Sequence, residues 1–340
     1  MPHPSTDTPA PSRVRLGGPD EIVAAIPHLL GFHPRESVVL LGLRGRRDRV
    51  CLSLRVDLPD PAHESALAAM VTAHLRNARA RAAIVLVVTD VPAAGGGLPR
   101  RSLADALRSA LAAARIGLRD VLCVHRQRWW SYGCERAECC PREGRPVRPE
   151  AASVLAAASV AEGRVVHADR DALIRVLAPI GQDDEADRCR LFADTAGRQR
   201  AALSSTAGRR AMVARIEAVV RAWADRPGDL GADDAVAFCV ALARLEVRDD
   251  CLRWLDGPLA DAAEGLWLAL VRAAAPGYTP APATLLALHA YGRGDGTFAR
   301  ICAERALSDT PGYPMAALVH EALDRGLPPA AIRELAAWME

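Results

Sequence analysis

Up to about residue 177 the chain alternates apolar runs of strand length with amphipathic stripes of helix length; beyond that only the helical period continues. Strand, helix, strand, helix, strand is the pattern of a partly parallel sheet covered by helices, whereas stripes alone pack helix on helix. A length of 340 residues leaves room for both, at roughly 100–200 residues per domain. The organisation expected is a flexible tail over 1–13, an α/β domain over 14–182 and an all-helical domain over 183–340, with Asp183-Asp184-Glu185 at the junction.

Within the first half, Pro19-Asp20-Glu21 opens a helix and Gly31 ends it, because proline and acids suit the amino end and glycine the carboxyl end. Val38 to Leu43 is a continuous apolar run; Val50, Leu52, Leu54 and Val56 alternate with smaller or polar residues, and the two read as a β-hairpin. A helix follows over 61–81, a strand over 83–88, a helix over 100–115 and a strand from Val121. A short helix near 150–161, a strand at 164–166 and a helix over 169–177 complete this half. In the second half, apolar stripes recur near 213–223, 232–245, 259–274, 284–291, 298–307 and 315–323, separated by Gly and Pro breakers. Pro276-Gly277-Tyr278 returns as Pro311-Gly312-Tyr313, an offset of 35 residues close to the roughly 34-residue tetratricopeptide period. The stretch between them reads either as one tetratricopeptide-like helix pair or as part of an ordinary bundle.

Composition removes some function classes. The net charge of +2 is near neutral, so nothing favours a nucleic-acid or membrane-surface partner. Every basic residue is arginine, as a GC-rich coding bias would produce, so scattered arginines do not by themselves indicate anion binding. There is no apolar run of about 18 residues and the Pro/Ser/Thr-rich start lacks a signal-peptide core, so a cytoplasmic location is expected. There the nine cysteines would mostly be free thiols.

The segment with the most chemistry is Trp129 to Gly144. If the strand from Val121 runs through Tyr132, alternation places Arg126, Arg128, Trp130 and Tyr132 on one face, and His125, Gln127, Trp129 and Ser131 on the other. The first set suits a planar anionic ligand through charge-assisted bonds and stacking; the alternative is tryptophans in the core with arginines in water. Cys134, Cys139 and Cys140 follow. Zinc calls for four ligands, and only by folding back would Cys123 and His125 complete a set with Cys134 and Cys139; adjacent Cys139 and Cys140 are expected to point apart. A thiolate nucleophile drawn from Cys134, Cys139 or Cys140, with His125, His28 or His33 as base, is a further reading; buried inert thiols are the plainest. Elsewhere, His28 and His33 flank a helix end and can converge with Asp57 beyond its strand, where ligands gather in α/β sheets. Gly95-Gly96-Gly97 follows a strand but matches no phosphate-loop pattern and reads as a linker.

Together, Ile26-Pro27-His28-Leu29-Leu30-Gly31-Phe32-His33-Pro34 with Ser37, Arg55-Val56-Asp57-Leu58-Pro59, Trp129-Trp130-Ser131-Tyr132, Cys139-Cys140-Pro141, Leu266-Trp267 and Leu327-Pro328-Pro329 resemble an actinobacterial family, DUF4192, a domain of unknown function. The resemblance implies a bacterial cytosolic protein and supplies no activity, cofactor or catalytic residue. The expectation is a ligand- or partner-binding regulatory protein, with a small anionic ligand on the Arg/aromatic face and a protein partner on the helical half. The alternative is a thiol-dependent hydrolase or transferase.

Overall fold

A computed structural model describes residues 17–93, 97–161, 165–180, 184–228 and 230–331. The expected tail over 1–13, the junction at 182/183 and Gly95-Gly96 fall outside them. The chain divides into two compact units. One comprises residues up to Leu75 and Arg79–Arg170; the other comprises Arg76–Ala78 and the chain from Asp171.

The first unit is α/β. Helix α1 (Pro19–Leu30) has proline and two acids in its first turn and ends on Gly31 at φ +78°, which a side chain would resist. Strands β1 (Ser37–Arg44) and β2 (Arg49–Asp57) form the expected hairpin, with Leu40 opposite Leu54. The helix expected over 61–81 begins instead as a 3-10 turn, Pro61–His63, capped by Asp60; it continues as α2 (Glu64–Asn77). Then come β3 (Ala82–Val88), α3 (Arg101–Ala113) and β4 (Gly117–His125), in which β3 and β4 are parallel. Short strands β5 (Arg128–Ser131) and β6 (Arg145–Pro146) complete a sheet ordered β2-β1-β3-β4-β5-β6. A 3-10 turn (Pro149–Ala152) and α4 (Ser153–Ala161) follow; α5 (Arg170–Arg175) starts at the last residue of this unit and otherwise belongs to the second. Of the strand expected at 164–166, residue 164 is not described and Val165 and Val166 are not in a strand. The chain nearby makes a single parallel bridge, Phe32 to His167.

Both faces of the central strands are covered, which explains their unbroken apolar runs. Val38, Leu40, Val85, Val87, Val121 and Cys123 pack against Leu67, Val71 and Leu75 of α2 and Leu103, Leu107 and Leu111 of α3. The alternate residues, Val39, Leu41 and Leu86, are equally buried, and Leu86 lies with Val23 and Ile26 of α1.

One correction matters for the site. The chain does not run straight from Val121 to Tyr132; it reverses at Arg126-Gln127, whose φ values are +47° and +62°. Two left-handed central residues make the tight turn whose twist matches paired strands. Neither is Gly, Asn or Asp, so no turn signal stood in the sequence. The reversal resets the side-chain parity: His125 now pairs with Arg128 and Cys123 with Trp130. His125 therefore joins the face of Arg128, Trp130 and Tyr132, and Arg126 leaves it for the turn.

The second unit is helical among the described residues: α6 (Glu185–Ser204), α7 (Thr206–Asp225), α8 (Ala232–Leu242), α9 (Leu245–Asp250), α10 (Ala260–Ala273), α11 (Pro280–Gly292), α12 (Gly296–Asp309) and α13 (Pro314–Asp324). Every residue of α11 is buried, so this helix is the centre of the unit. Trp267 of α10 has no solvent exposure, stacks on Trp254 with centroids 6.1 Å apart, and donates from Nε1 to Nε2 of His289 at 3.1 Å.

Candidate functional site

The parallel pairing of β3 and β4 ends at Val88 and Val124, where the amino end of β1 meets β3 at Ser37. Beyond this edge a hollow opens where α/β sheets commonly take ligands. Its volume is about 530 Å³, within the roughly 300–1,000 Å³ of small-molecule pockets. Val23 and Ile26 of α1, with Leu86, Val88 and Val124, give it an apolar floor; His33, Arg35, Glu36, Thr89, Asp90 and Arg126 supply its polar rim.

The rim is ordered by its own hydrogen bonds. Glu36 accepts from the Thr89 hydroxyl and the Asp90 amide, both at 2.7 Å. Asp90 accepts from the Arg126 amide at 3.1 Å, and His125 Nδ1 lies 2.8 Å from the Thr89 carbonyl, to which it donates. Both carboxylates are thus engaged by donors of the chain. The guanidinium groups of Arg35 and Arg126 have no carboxylate partner among the described residues, and both arginines are exposed. Glu36 (φ +40°), Arg126 and Gln127 are three of the seven non-glycine residues with positive φ among the described residues, and all three line the hollow. Each such position costs on the order of 1–3 kcal/mol and such residues cluster where function requires them.

The side chains of the expected Arg/aromatic face make hydrogen bonds within the chain. Arg128 donates to the carbonyls of Glu143 and Gly144, and Trp130 Nε1 donates to the Arg142 carbonyl at 3.2 Å. The indole lies so close over Gly144 that a Cβ there would come within 2.3 Å of it. Tyr132 is buried and its hydroxyl donates to the Pro99 carbonyl. These side chains hold the 133–144 loop and the core, and of the four only Arg126 lines the hollow.

That loop carries the thiols. Cys134, Cys139 and Cys140 bring their sulfurs within 4.8 Å of one another, so Cys139 and Cys140 converge where divergence was expected. Cys123 lies instead in the core beside Tyr132, and burial pushes its thiol up to about 11. Neither Cys123 nor His125 belongs to the cluster, and among the described residues no imidazole joins it. The Cys134 thiol is lowered from its ordinary value by the hydrogen bond with Cys139 and by the backbone of Arg136. Cys139 is raised by the same bond, and burial pushes Cys140 up to about 11.

A family model described as a domain of unknown function, DUF4192, matches residues 19–330. The chain belongs to the DUF4192 family. No curated protein and no solved structure matches it. Among the described residues of this DUF4192 chain, no helix is long and apolar enough to cross a membrane. Of the residues singled out from sequence, His33 and Arg126 meet at the hollow. His28 sits in the last turn of α1 and does not line it. Asp57 is exposed and pairs with Arg55 at 2.6 Å. Sequence reasoning missed Arg35, Glu36, Thr89 and Asp90. A usable signal was present: Thr89-Asp90 follows directly on the apolar run of β3, the position where α/β sheets display polar groups to ligands.

Proposed function

We propose that the α/β unit binds a small anionic ligand in the hollow beyond β3 and β4, and that the protein works as a cytoplasmic ligand-dependent regulator. The observation that carries this reading is the rim itself. Its two carboxylates are already engaged by hydrogen bonds from the chain, while the side chains of Arg35, Arg126 and His33 remain as donors above an apolar floor. Such a site suits a carboxylate or phosphate ester with a modest apolar body, held by charge-assisted hydrogen bonds. The strained turn at Arg126-Gln127 supports it, since a hairpin built for stability alone would favour Asn-Gly there.

The test is a thermal-shift and calorimetric screen of small carboxylates and phosphate esters. A binder should raise the melting temperature of the wild type, and Arg126→Ala should abolish that shift while leaving the unliganded melting temperature within a degree or two. A screen without binders, or binding that survives both Arg126→Ala and Arg35→Ala, would remove the reading.

The helical unit supports a second, separate role as a tetratricopeptide-like docking module for a protein partner. Its two Pro-Gly-Tyr segments form the same turn: Gly277 and Gly312 sit at φ +85° and +83°. The tyrosine amides bond back three residues at 3.0 and 3.1 Å, and a helix with proline in its first turn follows each. Photo-crosslinking from position 318, where Leu318 is 64% exposed, should capture a specific partner; no crosslink would dismiss this second role.

A further inference from the structure

We infer that Cys134, Cys139 and Cys140 form a three-thiolate zinc site whose fourth position is open to solvent or a small ligand. The site shares no residue with the hollow and stands independently of the ligand reading.

Three observations carry it. The first is convergence: sulfurs from a C-x₄-C-C stretch, including adjacent cysteines, gather within 4.8 Å, whereas a disulfide requires only two. The Cys134 and Cys139 sulfurs are 2.7 Å apart. Sulfurs bound tetrahedrally at about 2.3 Å from zinc stand about 3.7 Å apart, so entry of the ion would open this pair by about 1 Å. The second is a supporting shell aimed at the sulfurs and their backbone. The amides of Cys139 and Cys140 donate to the Arg136 carbonyl at 3.3 and 2.8 Å, the Cys139 thiol reaches the same carbonyl at 3.6 Å, and the Cys134 amide donates to the Ser131 carbonyl at 3.4 Å. Arg145 donates to the carbonyls of Cys139 at 2.6 Å and Glu138 at 3.0 Å, fixing the turn from behind. Groups of this kind orient ligands and tune a metal site. The third is rigidity: Arg128 and Trp130 pin the far end of the loop at Arg142, Glu143 and Gly144.

Thiolates select soft, thiophilic cations. Zinc entry displaces three protons to solvent and leaves the cluster with one net negative charge, which Arg136, acting on both Cys134 and Cys139, is placed to balance. A monovalent copper ion would leave two negative charges against that one arginine, so the charge balance favours zinc. Among the described residues no fourth Cys, His, Asp or Glu joins the group, which leaves one coordination position for water or an exogenous donor, as in zinc sites with three protein ligands.

The experiment uses the full chain, reduced with a phosphine and stripped with a chelator. It is titrated with Zn²⁺ against a chromophoric competitor and, separately, with Co²⁺. Zinc should bind in one-to-one stoichiometry, and cobalt should give the intense near-ultraviolet thiolate-to-metal band. Cys134→Ser, Cys139→Ser and Cys140→Ser should each weaken zinc by at least about tenfold, since losing a ligand costs no less than losing a supporting contact. Cys51→Ser should leave the affinity unchanged. If a serine variant fails to fold, alkylation mapping of the wild type replaces it: Zn²⁺ should protect these three thiols together and no others. The proposal is overturned by a cobalt spectrum without the thiolate band, by zinc binding that survives all three substitutions, by preferential stoichiometric uptake of Cu⁺ over Zn²⁺, or by a Cys134–Cys139 disulfide that forms equally fast in the presence of excess zinc.

Discussion

Both units contain cysteines and a tryptophan beside a histidine, and they place them in opposite surroundings. In the helical unit Cys239, Cys251 and Cys302 are buried and burial raises all three thiols. Trp267 and His289 meet in a sealed core, and the histidine is held neutral, its pKa depressed to about 3 chiefly by burial. In the α/β unit Cys134, Cys139 and Cys140 are only half-buried. Trp130 and His125, with ring centroids 6.5 Å apart, are only partly buried, and Trp130 is tied to the 133–144 loop at Arg142. Residue type alone therefore says little about chemistry; desolvation on one side and convergence near solvent on the other decide it.

The sharpest break of this contrast is Trp267→Ala, which should cost about 4 kcal/mol by opening a cavity and leaving His289 without its donor, measured by urea denaturation. Next is His289. Its folded pKa lies below the unfolded value, so its contribution is complete above about pH 6.5 and declines as pH falls toward 3, because the unfolded chain takes up the proton first. Between about pH 6.5 and 4.5 the loss should be about 2 kcal/mol, the slope rising toward about 1.4 kcal/mol per unit. His289→Gln, which keeps an acceptor for Trp267, should flatten that slope; an unchanged slope would assign it to other groups.

The α/β unit should answer with smaller effects on stability and larger ones on binding. Gly144→Ala adds a Cβ against the Trp130 ring at φ +74° and should cost about 2 kcal/mol. It should also alter tryptophan fluorescence and weaken zinc. Replacing Arg126-Gln127 by Asn-Gly should stabilise the hairpin by about 1 kcal/mol while removing the anion-induced melting shift. A stabilised hairpin with ligand response intact would separate the turn's strain from function.

Much of the architecture was legible because burial imposes period. The β1–β2 hairpin, β3, α3 and most of the helical stripes lie close to where apolar spacing put them. The 3-10 start at Pro61–His63 is an end effect that periodicity does not resolve, and Val165-Val166 is too short an apolar pair for periodicity to decide. The Arg126-Gln127 reversal was invisible for a different reason. Its residues are poor turn formers, and paired neighbours override local preference there, so the error moved His125 and Arg126 to the wrong faces.

By itself the sequence determined the sheet-plus-helices division, the strands buried on both faces and the concentration of unusual chemistry between Trp129 and Gly144, because these depend on neighbours along the chain. The tertiary structure decided what that chemistry does. Arg128 and Trp130 became supports for a thiol loop, Tyr132 a buried strut, and Arg126 part of a hollow with Glu36, Thr89 and Asp90. Those partners lie dozens of residues apart, and only strand pairing, set by backbone hydrogen bonds and a two-residue turn, brings them within reach.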